Sequence, residues 1–548
     1  MIGDRSADRH ADVVVVGSGA AGLTAALAAA DGGCSVEILE KSGLVGGATA
    51  VSAGGLWVPL NPHMCDMGVE DTREEAVTYL RGLTQGREPD PHLIDIYVDE
   101  VRNAMSYLET STPLRLQVSK QFSDYYADRP GGKRMGRTLH PLAYEARAAL
   151  KEWDALIRES PHFARVTVEE WGDSAGDTAG GLEALAADRQ ARGIRTLGGA
   201  LVACLLYAVL ERHIPLRTST RVVDLLIEDG CVTGVAAECD GHPLMIGAER
   251  GVVLASGGFE WNADLMHAFV GARGILPTSP PTNEGDGLLM ALDAGAAVGN
   301  MTVTWAYPVS SDGRSTFEGS PLAILRPPQR EAGTIIVNRR GRRFANEGVS
   351  YMDFPKTYRT YDPVTNDYPN EPPVWEIFDQ SVRERMVLAD LRPAQPTPAW
   401  VYEASTIAEL ADAIGVRRDD LCAEVERFNA HVARGVDSDY GRGTVWFEGY
   451  LSGGPRPEGS LAPIHRPPFY AVPVYEGAQG TAGGVRIDQH GRVRAMRGGV
   501  VPGLYAAGNM AASVFGPVYP AAGAILGQAI AFGYLAGRDL AHSTTPRD

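Results

Sequence analysis

The sequence has no run dense in lysine or arginine, and its 50 basic against 68 acidic residues leave a net charge of −18. A nucleic-acid partner requires a basic face, so that class is excluded. None of the six cysteines (Cys34, Cys65, Cys204, Cys231, Cys239 and Cys422) stands in CxxC spacing. That removes the zinc and dithiol readings and leaves free thiols in a reducing cytoplasm as the simplest account, with no metal expected. No apolar stretch reaches the roughly 20 residues of a membrane span. Residues 13–30 are broken by Gly17, Gly19 and Gly22, and GGALVACLLYAVL (198–210) is short enough to be a buried helix. The opening MIGDRSADRH is polar and lacks the apolar core of a secretory signal. Internal repeats and low-complexity tracts are also missing. What is abundant is glycine, 64 of 548 residues, as expected where backbone must approach a ligand closely. That length makes two domains the natural prior.

The chain is organised around DVVVVGSGAAGLTAALAAADGGCSVEILE, residues 12–40. Val13 to Val16 read as a strand buried on both faces. Gly17, Gly19 and Gly22 follow in GxGxxG spacing at the start of an alanine-rich helix, with Ala20 and Ala21 in its first turn. A second apolar run, Val36 to Leu39, ends in Glu40. This is the dinucleotide pattern. Gly17 permits the tight turn, Gly19 lets backbone approach a pyrophosphate, and Gly22 lets helix and strand pack closely. The helix N-terminus offers unpaired N–H groups to phosphate, and Glu40 can accept hydrogen bonds from a ribose diol.

After Lys41 and Ser42 comes GLVGGATAVSAGGLWVP (43–59), rich in glycine and small residues. It reads as irregular backbone, neither packed helix nor regular strand, laid along a flat ligand with Gly46, Gly47, Ala48, Thr49, Ser52, Gly54 and Gly55 beside it. Residues 70–160 read as mostly helical, interrupted at 121–137 by a polar segment with Tyr125, Tyr126 and the turn Pro130-Gly131-Gly132. A buried helix (198–212) leads to a strand–turn–strand unit through Val222, with the turn at Asp229-Gly230. In RGVVLASGGFEWN, Val252 to Leu254 form a strand with Gly257 at its C-terminal end, the edge where doubly wound sheets bind ligands. From 304 to 478 Pro, Trp, Tyr and Arg become frequent and the βαβ rhythm is lost. This reads as a domain inserted into a first one made of 1–303 and 479–548. Within it, 334–354 reads as a hairpin turning at Arg340-Gly341, followed by Asn346-Glu347 and Tyr351. Residues 405–435 read as two helices capped by Ser405 or Thr406. Near the end, Leu504 to Ala507 form a strand with Gly508 and Asn509 at its tip. A helix then opens near Ala521, presenting Gly523 and Ala524 as backbone donors and Ile525 behind them. Its N-terminus is placed to stabilise negative charge on a reduced flavin or a polarised carbonyl.

DVVVVGSGAAGLTAALAA, EKSGLVGGATAVSAGG, ASGGFE and GLYAAGNMAASVFGPVYPAAGAILGQAIAFGY together resemble the flavoprotein family of fumarate reductases and 3-ketosteroid dehydrogenases. Tyr519-Pro520-Ala521-Ala522-Gly523-Ala524 is the most specific part and resembles the Δ1-dehydrogenase branch. The resemblance implies a Rossmann-like α/β FAD domain of glutathione-reductase type, interrupted by an inserted α+β catalytic domain. It implies FAD held non-covalently, since the glycine loop carries Ala48, Thr49 and Ala50 where covalent members place a histidine. It implies four site residues: Tyr351 as base, Tyr125 supporting that base with its neighbour Tyr126 as the second choice, and Tyr519 with the Gly523 N–H holding a ketone oxygen. Phe122 stands where some members have another tyrosine, and 143–195 is long and acidic for the family.

Desaturation beside a ketone requires a polarised carbonyl, a base for the acidified C–H, and a hydride acceptor, which flavin N5 provides. Tyr519 O–H and Gly523 N–H would be two donors aimed at charge that grows in the transition state. Tyr351 must act as phenolate although tyrosine ordinarily ionises near pH 10, and a hydrogen bond from Tyr125 would stabilise the anion. The leading expectation is 3-ketosteroid dehydrogenation with an external electron acceptor. A smaller ring such as 4-oxocyclohexanecarboxylate would call for a pocket arginine, with Arg137 and Arg326 as candidates. A fumarate-type enoate reductase would need clamping basic residues, and a flavin-storage protein would bind the cofactor without ketone chemistry. Steroids partition into membranes, which leaves peripheral association open for a cytoplasmic protein, although no amphipathic anchor stands out.

Overall fold

The computed structural model describes residues 7–120, 122–173, 180–325, 331–449 and 457–543. It divides into two compact units, Met1–Val270 with Ser279–Thr304 and Gly480–Asp548, and Gly271–Thr278 with Trp305–Gln479.

The first unit is built on a mixed eight-stranded sheet. Its centre is β1 (Arg9–Val16), parallel to both β2 (Val36–Leu39) and β9 (His242–Leu254). Val13 to Val15 have no solvent exposure, as a strand covered on both faces requires. The parallel core continues through β6 (Leu216–Arg217) beside β2 and Val500–Ala506 beside β9. The antiparallel pair β7 (Thr220–Glu228) and β8 (Cys231–Cys239) extends it, with its turn at Asp229-Gly230. Helix α1 (Ala20–Asp31) packs closely on the helix Ala524–His542. A Cβ added at Gly533 or Gly537 would lie 2.5 and 2.4 Å from the carbonyl oxygens of Ala21 and Ala25.

Three details differ from the sequence reading. First, after α2 (Gly47–Val51), α3 (Arg73–Thr84) and α4 (His92–Ser111), the stretch expected to be mostly helical contains strands. β3 (Leu56–Trp57), β4 (Leu116–Val118) and β5 (Thr138–Pro141) form a separate antiparallel sheet, ordered β3-β5-β4. These strands are too short to show a period of two. Second, the loop 43–59 is not wholly irregular: α2 and β3 both lie in it, because alanine, threonine and valine between the glycines suffice for one turn and a two-residue pairing. Third, the last long helix begins at Ala524 and not at Ala521, because Gly523 sits at φ 90°, which a right-handed helix cannot contain.

In the second unit, a sheet runs in the order Ile324–Leu325, Thr304–Ser310, Phe469–Thr481, Val374–Asp379, Thr334–Val337. Thr334–Val337 was expected to pair within its own hairpin. It instead pairs antiparallel with Val374–Asp379, and only a single bridge, Val337 to Arg343, folds back locally. Arg343 is committed to buried carboxylates, so the returning chain cannot continue as a strand. Ile407–Ile414 and Arg418–Ala433 pack on this sheet through Leu410, Leu421 and Phe428, and Thr406 caps the first of them in a capping box with Glu409.

Candidate active site

In the first unit, several predicted cofactor residues keep partial exposure among buried neighbours: Gly17, Gly19, Gly47, Ala48, Ser52, Gly257, Asn509 and Ile525. Of these, Gly17, Gly257 and Asn509 follow shortly after the C-terminal ends of β1, β9 and Val500–Ala506. Gly17 has φ 107°, and a Cβ there would lie 2.5 Å from the Ala255 carbonyl oxygen, so the tight turn requires glycine. By contrast, a Cβ at Gly19 or Gly47 would meet protein only at ordinary contact distance, 3.6 and 4.0 Å, so the backbone at the α1 N-terminus is not crowded by the protein's own side chains. Such a cradle fits a pyrophosphate. One expected donor is already engaged: the Ala20 N–H donates to Thr49 Oγ1 at 3.0 Å, which ties the second glycine loop to the first. Gly508 meets Ala21 from the other side, its Cβ position 3.2 Å from the Ala21 Cβ.

Glu40 is nearly buried and accepts from the Ser18 N–H (3.1 Å), Ser18 Oγ (2.6 Å) and the Ser42 N–H (2.9 Å). A carboxylate has about four lone-pair directions, which leaves one for a ribose hydroxyl. Ser18, inside the glycine motif, also accepts from the Gly46 N–H at 3.0 Å. The sequence reading missed it, because the motif specifies only glycines. The Lys41 ammonium is paired with Glu284 (2.5 Å) and Asp286 (2.8 Å). The Thr220 N–H donates to the Glu40 carbonyl at 2.9 Å and so brings β7, with the buried Val222, beside Glu40. Ser52 Oγ donates to the Thr49 carbonyl at 2.8 Å and accepts from the Gly54 N–H at 3.0 Å, fixing the loop's shape. Gly22 is buried against Gly17, its Cβ position 2.0 Å from the Gly17 carbonyl oxygen.

At the other end of the unit lies the 519–523 segment. Each carbonyl from Pro520 to Gly523 is bonded. The Pro520 oxygen accepts from the Tyr125 N–H (3.0 Å) and Tyr79 O–H (2.7 Å). The Ala521 oxygen accepts from the Ala524 N–H (3.2 Å), and the Ala522 oxygen from Thr138 Oγ1 (3.1 Å). The Gly523 oxygen accepts from the Trp57 N–H (3.1 Å) and the Gly527 N–H (2.9 Å). A trans peptide points its N–H opposite its C=O. Because the Ala522 carbonyl turns toward Thr138 on β5, the Gly523 N–H turns away from that sheet, and as an N-cap N–H it has no helical acceptor. The expectation that Ala524 is an exposed donor is corrected: Ala524 is fully buried and its N–H is spent on Ala521. Gly523 packs against Gly55, its Cβ position 2.4 Å from the Gly55 carbonyl carbon. Tyr125 and Tyr519 are both buried, with ring centroids 5.7 Å apart.

Around this segment stand residues the sequence reading did not single out. Asp124, fully enclosed, accepts from Trp57 Nε1 (2.7 Å), the Lys133 N–H (2.9 Å) and Arg137 (2.8 Å). Arg137 is also bidentate on Asp71 at 2.9 and 2.6 Å, and its guanidinium lies 5.8 Å from the Trp57 ring centroid. The suggestion that Arg137 could receive a substrate carboxylate is therefore corrected: two carboxylates already neutralise it, and its side chain is 1% exposed. Arg326, the other candidate, lies outside the described residues. His140 is buried beside Phe122, ring centroids 5.2 Å apart, and burial pushes its imidazole down to about 4, so it is neutral at pH 7. No sequence signal marks Trp57, Asp124 or His140, because their importance comes from long-range packing.

In the second unit, Tyr351 is half-buried, its ring 5.8 Å from Tyr307 and 5.9 Å from Phe447. A buried charge network holds the chain before it. Arg343 is bidentate on Glu347 (2.7 Å twice) and reaches Asp437 (2.9 Å); Asn346 donates to Glu448 (2.7 Å) and accepts from the Gly348 N–H (2.8 Å). Burial opposes the Glu347 charge, but the guanidiniums of Arg343 and Arg442 more than offset it and hold the carboxyl below its ordinary range.

A mixed α/β sheet with a parallel core, a glycine motif at its C-terminal edge and a second unit inserted in the chain is the architecture of a dinucleotide-binding oxidoreductase. The FAD binding domain family model matches residues 12–526, and the chain belongs to that family, with FAD as its cofactor. It is 38% identical to 4-oxocyclohexanecarboxylate 2-dehydrogenase of Sinomonas cyclohexanicum, over 97% of this chain and 92% of that one. It is 35% identical to 3-oxosteroid 1-dehydrogenase of Mycobacterium tuberculosis, over 98% and 99% of the two chains. Among solved structures, 3-ketosteroid Δ1-dehydrogenase from Sterolibacterium denitrificans, in complex with 1,4-androstadiene-3,17-dione, superposes with a TM-score of 0.88 at 31% identity, covering 97% and 99% of the chains. Among the described residues no helix is long and apolar enough to cross a membrane.

Proposed function

We propose that this protein is an FAD-dependent dehydrogenase that introduces a C=C bond beside the ketone of a cyclic substrate, with a 3-ketosteroid as the leading substrate class. The observation that carries the reading is the fixed 519–523 segment: its bonded carbonyls aim the Gly523 N–H, with Tyr519 four residues before it and Tyr125 against Tyr519. Tyr519 O–H and Gly523 N–H donate to the ketone oxygen and favour the enolate-like charge that builds there. Donors of this kind are worth about 2.7 to 4 kcal/mol each in acyl-transfer sites. Tyr351 takes the proton from the carbon next to the carbonyl, and Tyr125 is the hydroxyl that supports this base. The bound flavin supplies the hydride acceptor.

The 38% identity to a 4-oxocyclohexanecarboxylate dehydrogenase supports a second reading, in which the same residues act on a small ring acid. The enclosure of Arg137 by two carboxylates weighs against it. One experiment separates the two: anaerobic mixing of the FAD-loaded protein with ketosteroids and with 4-oxocyclohexanecarboxylate, followed by flavin bleaching. Faster bleaching by the steroid supports the first reading and faster bleaching by the acid the second. Bleaching by neither rejects both. Tyr351→Phe is expected to abolish bleaching while FAD stays bound; near-normal turnover would remove Tyr351 as the base.

A further inference from the structure

The 122–126 and 519–523 segments are far apart in sequence yet are joined by a backbone bridge, and one side chain, Trp57, touches both. Trp57 sits on β3, paired with Thr138 of β5, and is fully buried. Its backbone N–H donates to the Gly523 carbonyl at 3.1 Å, and its indole Nε1–H donates to Asp124 at 2.7 Å. Asp124 forms a backbone bridge with Ala521, and the next residue, Tyr125, donates its N–H to the Pro520 carbonyl. Trp57 cannot drift, because Tyr97 stacks on its ring with centroids 5.9 Å apart and donates its hydroxyl to the Trp57 carbonyl. Phe515 meets the same indole edge-on at 6.1 Å.

We propose that Trp57 is a positioning residue for the dehydrogenation: it fixes the Gly523 peptide with one N–H and the Tyr125 segment with the other, and so sets Tyr125 in register with the ketone-oxygen donors. This rests on the roles given above to Tyr125, Tyr519 and Gly523. The backbone bridge already joins the two segments; Trp57 adds two directional bonds that diverge from one residue and tie both segments to β3, so that the pair is held against a common frame. The carboxylate acceptor makes the indole bond the stronger kind. Burial raises the Asp124 pKa and its partners only oppose that shift, but Arg137 and the Lys133 N–H still orient the side chain without the indole, so loss of the indole N–H loosens register without unfolding the segment.

The test is a double-mutant cycle on the FAD-loaded protein, read by the single-turnover bleaching rate with whichever ketone bleaches the wild type faster. Trp57→Phe removes the indole N–H and keeps an aromatic ring against Tyr97. It is expected to slow bleaching at least tenfold, chiefly through kcat and not KM, with FAD loading unchanged. If Trp57 acts through Tyr125, adding Trp57→Phe to Tyr125→Phe slows bleaching by less than twofold, because the register it sets no longer matters. If the two effects multiply, or Trp57→Phe alone is silent, the inference is overturned while the roles of the tyrosines stand. If Tyr125→Phe itself bleaches like the wild type, the underlying reading of Tyr125 fails and takes the inference with it. Should Trp57→Phe fail to load FAD, Asp124→Asn enters the same cycle from the acceptor side, with the same non-multiplicative result expected and a multiplicative one refuting.

Discussion

Gly523→Ala tests the site where stability and chemistry make different demands. Gly523 has φ 90°, and its Cβ position lies 2.4 Å from both the Gly55 carbonyl carbon and the Leu56 nitrogen. An L-residue in the left-handed region costs roughly 1–2 kcal/mol, and overpacking a tight interior typically adds 1–3 kcal/mol. Both contacts are backbone, so no side chain can swing aside, and about 2–5 kcal/mol of lost stability is expected. The displacement acts on the peptide whose N–H is proposed to hold the ketone oxygen. If that donor contributes about 2.7 to 4 kcal/mol, its removal slows the chemical step by two to three orders of magnitude. The assay is urea unfolding of the FAD-loaded variant alongside anaerobic single-turnover bleaching. Gly503→Ala is the control for strain and crowding alone, since Gly503 has φ 74°, its Cβ position meets the Val232 carbonyl oxygen at 2.3 Å, and it has no role in the site. Rate loss at Gly523 should far exceed that at Gly503 for equal loss of stability. Stability and bleaching of Gly523→Ala both near wild type would refute the packing argument, and a stability loss with an unchanged rate would refute the donor assignment.

Three further outcomes are expected. Burial lowers the His140 pKa from 6.5 to about 4, so between those values the unfolded chain binds a proton that the native state refuses. Stability should therefore fall as pH drops from about 6.5 to 4 by up to about 3 kcal/mol, with no contribution above pH 6.5; urea titrations of the wild type and His140→Gln across that range should differ in slope, and parallel curves would reject the assignment. Arg343→Met leaves Glu347 and Asp437 facing each other in a buried site and should destabilise the protein by about 3–5 kcal/mol, measured by chemical unfolding; a loss under 1 kcal/mol would contradict the network's importance. Glu40→Ala removes the acceptor shared by Ser18 and Ser42 together with the ribose ligand, and hydrogen bonds to a charged group are worth about 1.5–3 kcal/mol. FAD dissociation followed by flavin fluorescence should show affinity weakened about ten- to a hundredfold, and unchanged retention would rule out Glu40 as a cofactor ligand.

What could be read in the sequence was whatever is local. The valine run, the glycine spacing and Glu40 lie within 29 consecutive residues, and Gly17 among them meets a backbone requirement that no other residue type meets. Gly523 was legible only as a backbone donor near a helix N-terminus, its ketone-binding role coming from the family resemblance, and the start of the helix was misplaced by three residues. The β3-β5-β4 sheet was not legible, because strands of two to four residues carry no period, and their stability comes from what they face. Trp57 and Asp124 were invisible on the same ground, and Arg137 was visible only as a candidate ligand for a substrate acid. An arginine in a polar segment reads as a solvated charge or a ligand for an acid, and only the fold reveals that Asp71 and Asp124 close on it from either side. That closure carries chemical weight. A guanidinium already held by two carboxylates cannot attract a substrate carboxylate without breaking one pair inside a buried site, a change that costs several kcal/mol. The charge here serves to orient Asp124, and through it the indole of Trp57, so polar groups that a sequence presents as candidates for binding are spent on geometry. A neutral ring ketone can still be held by the two donors at Tyr519 and Gly523, which need no counter-charge until the transition state develops one.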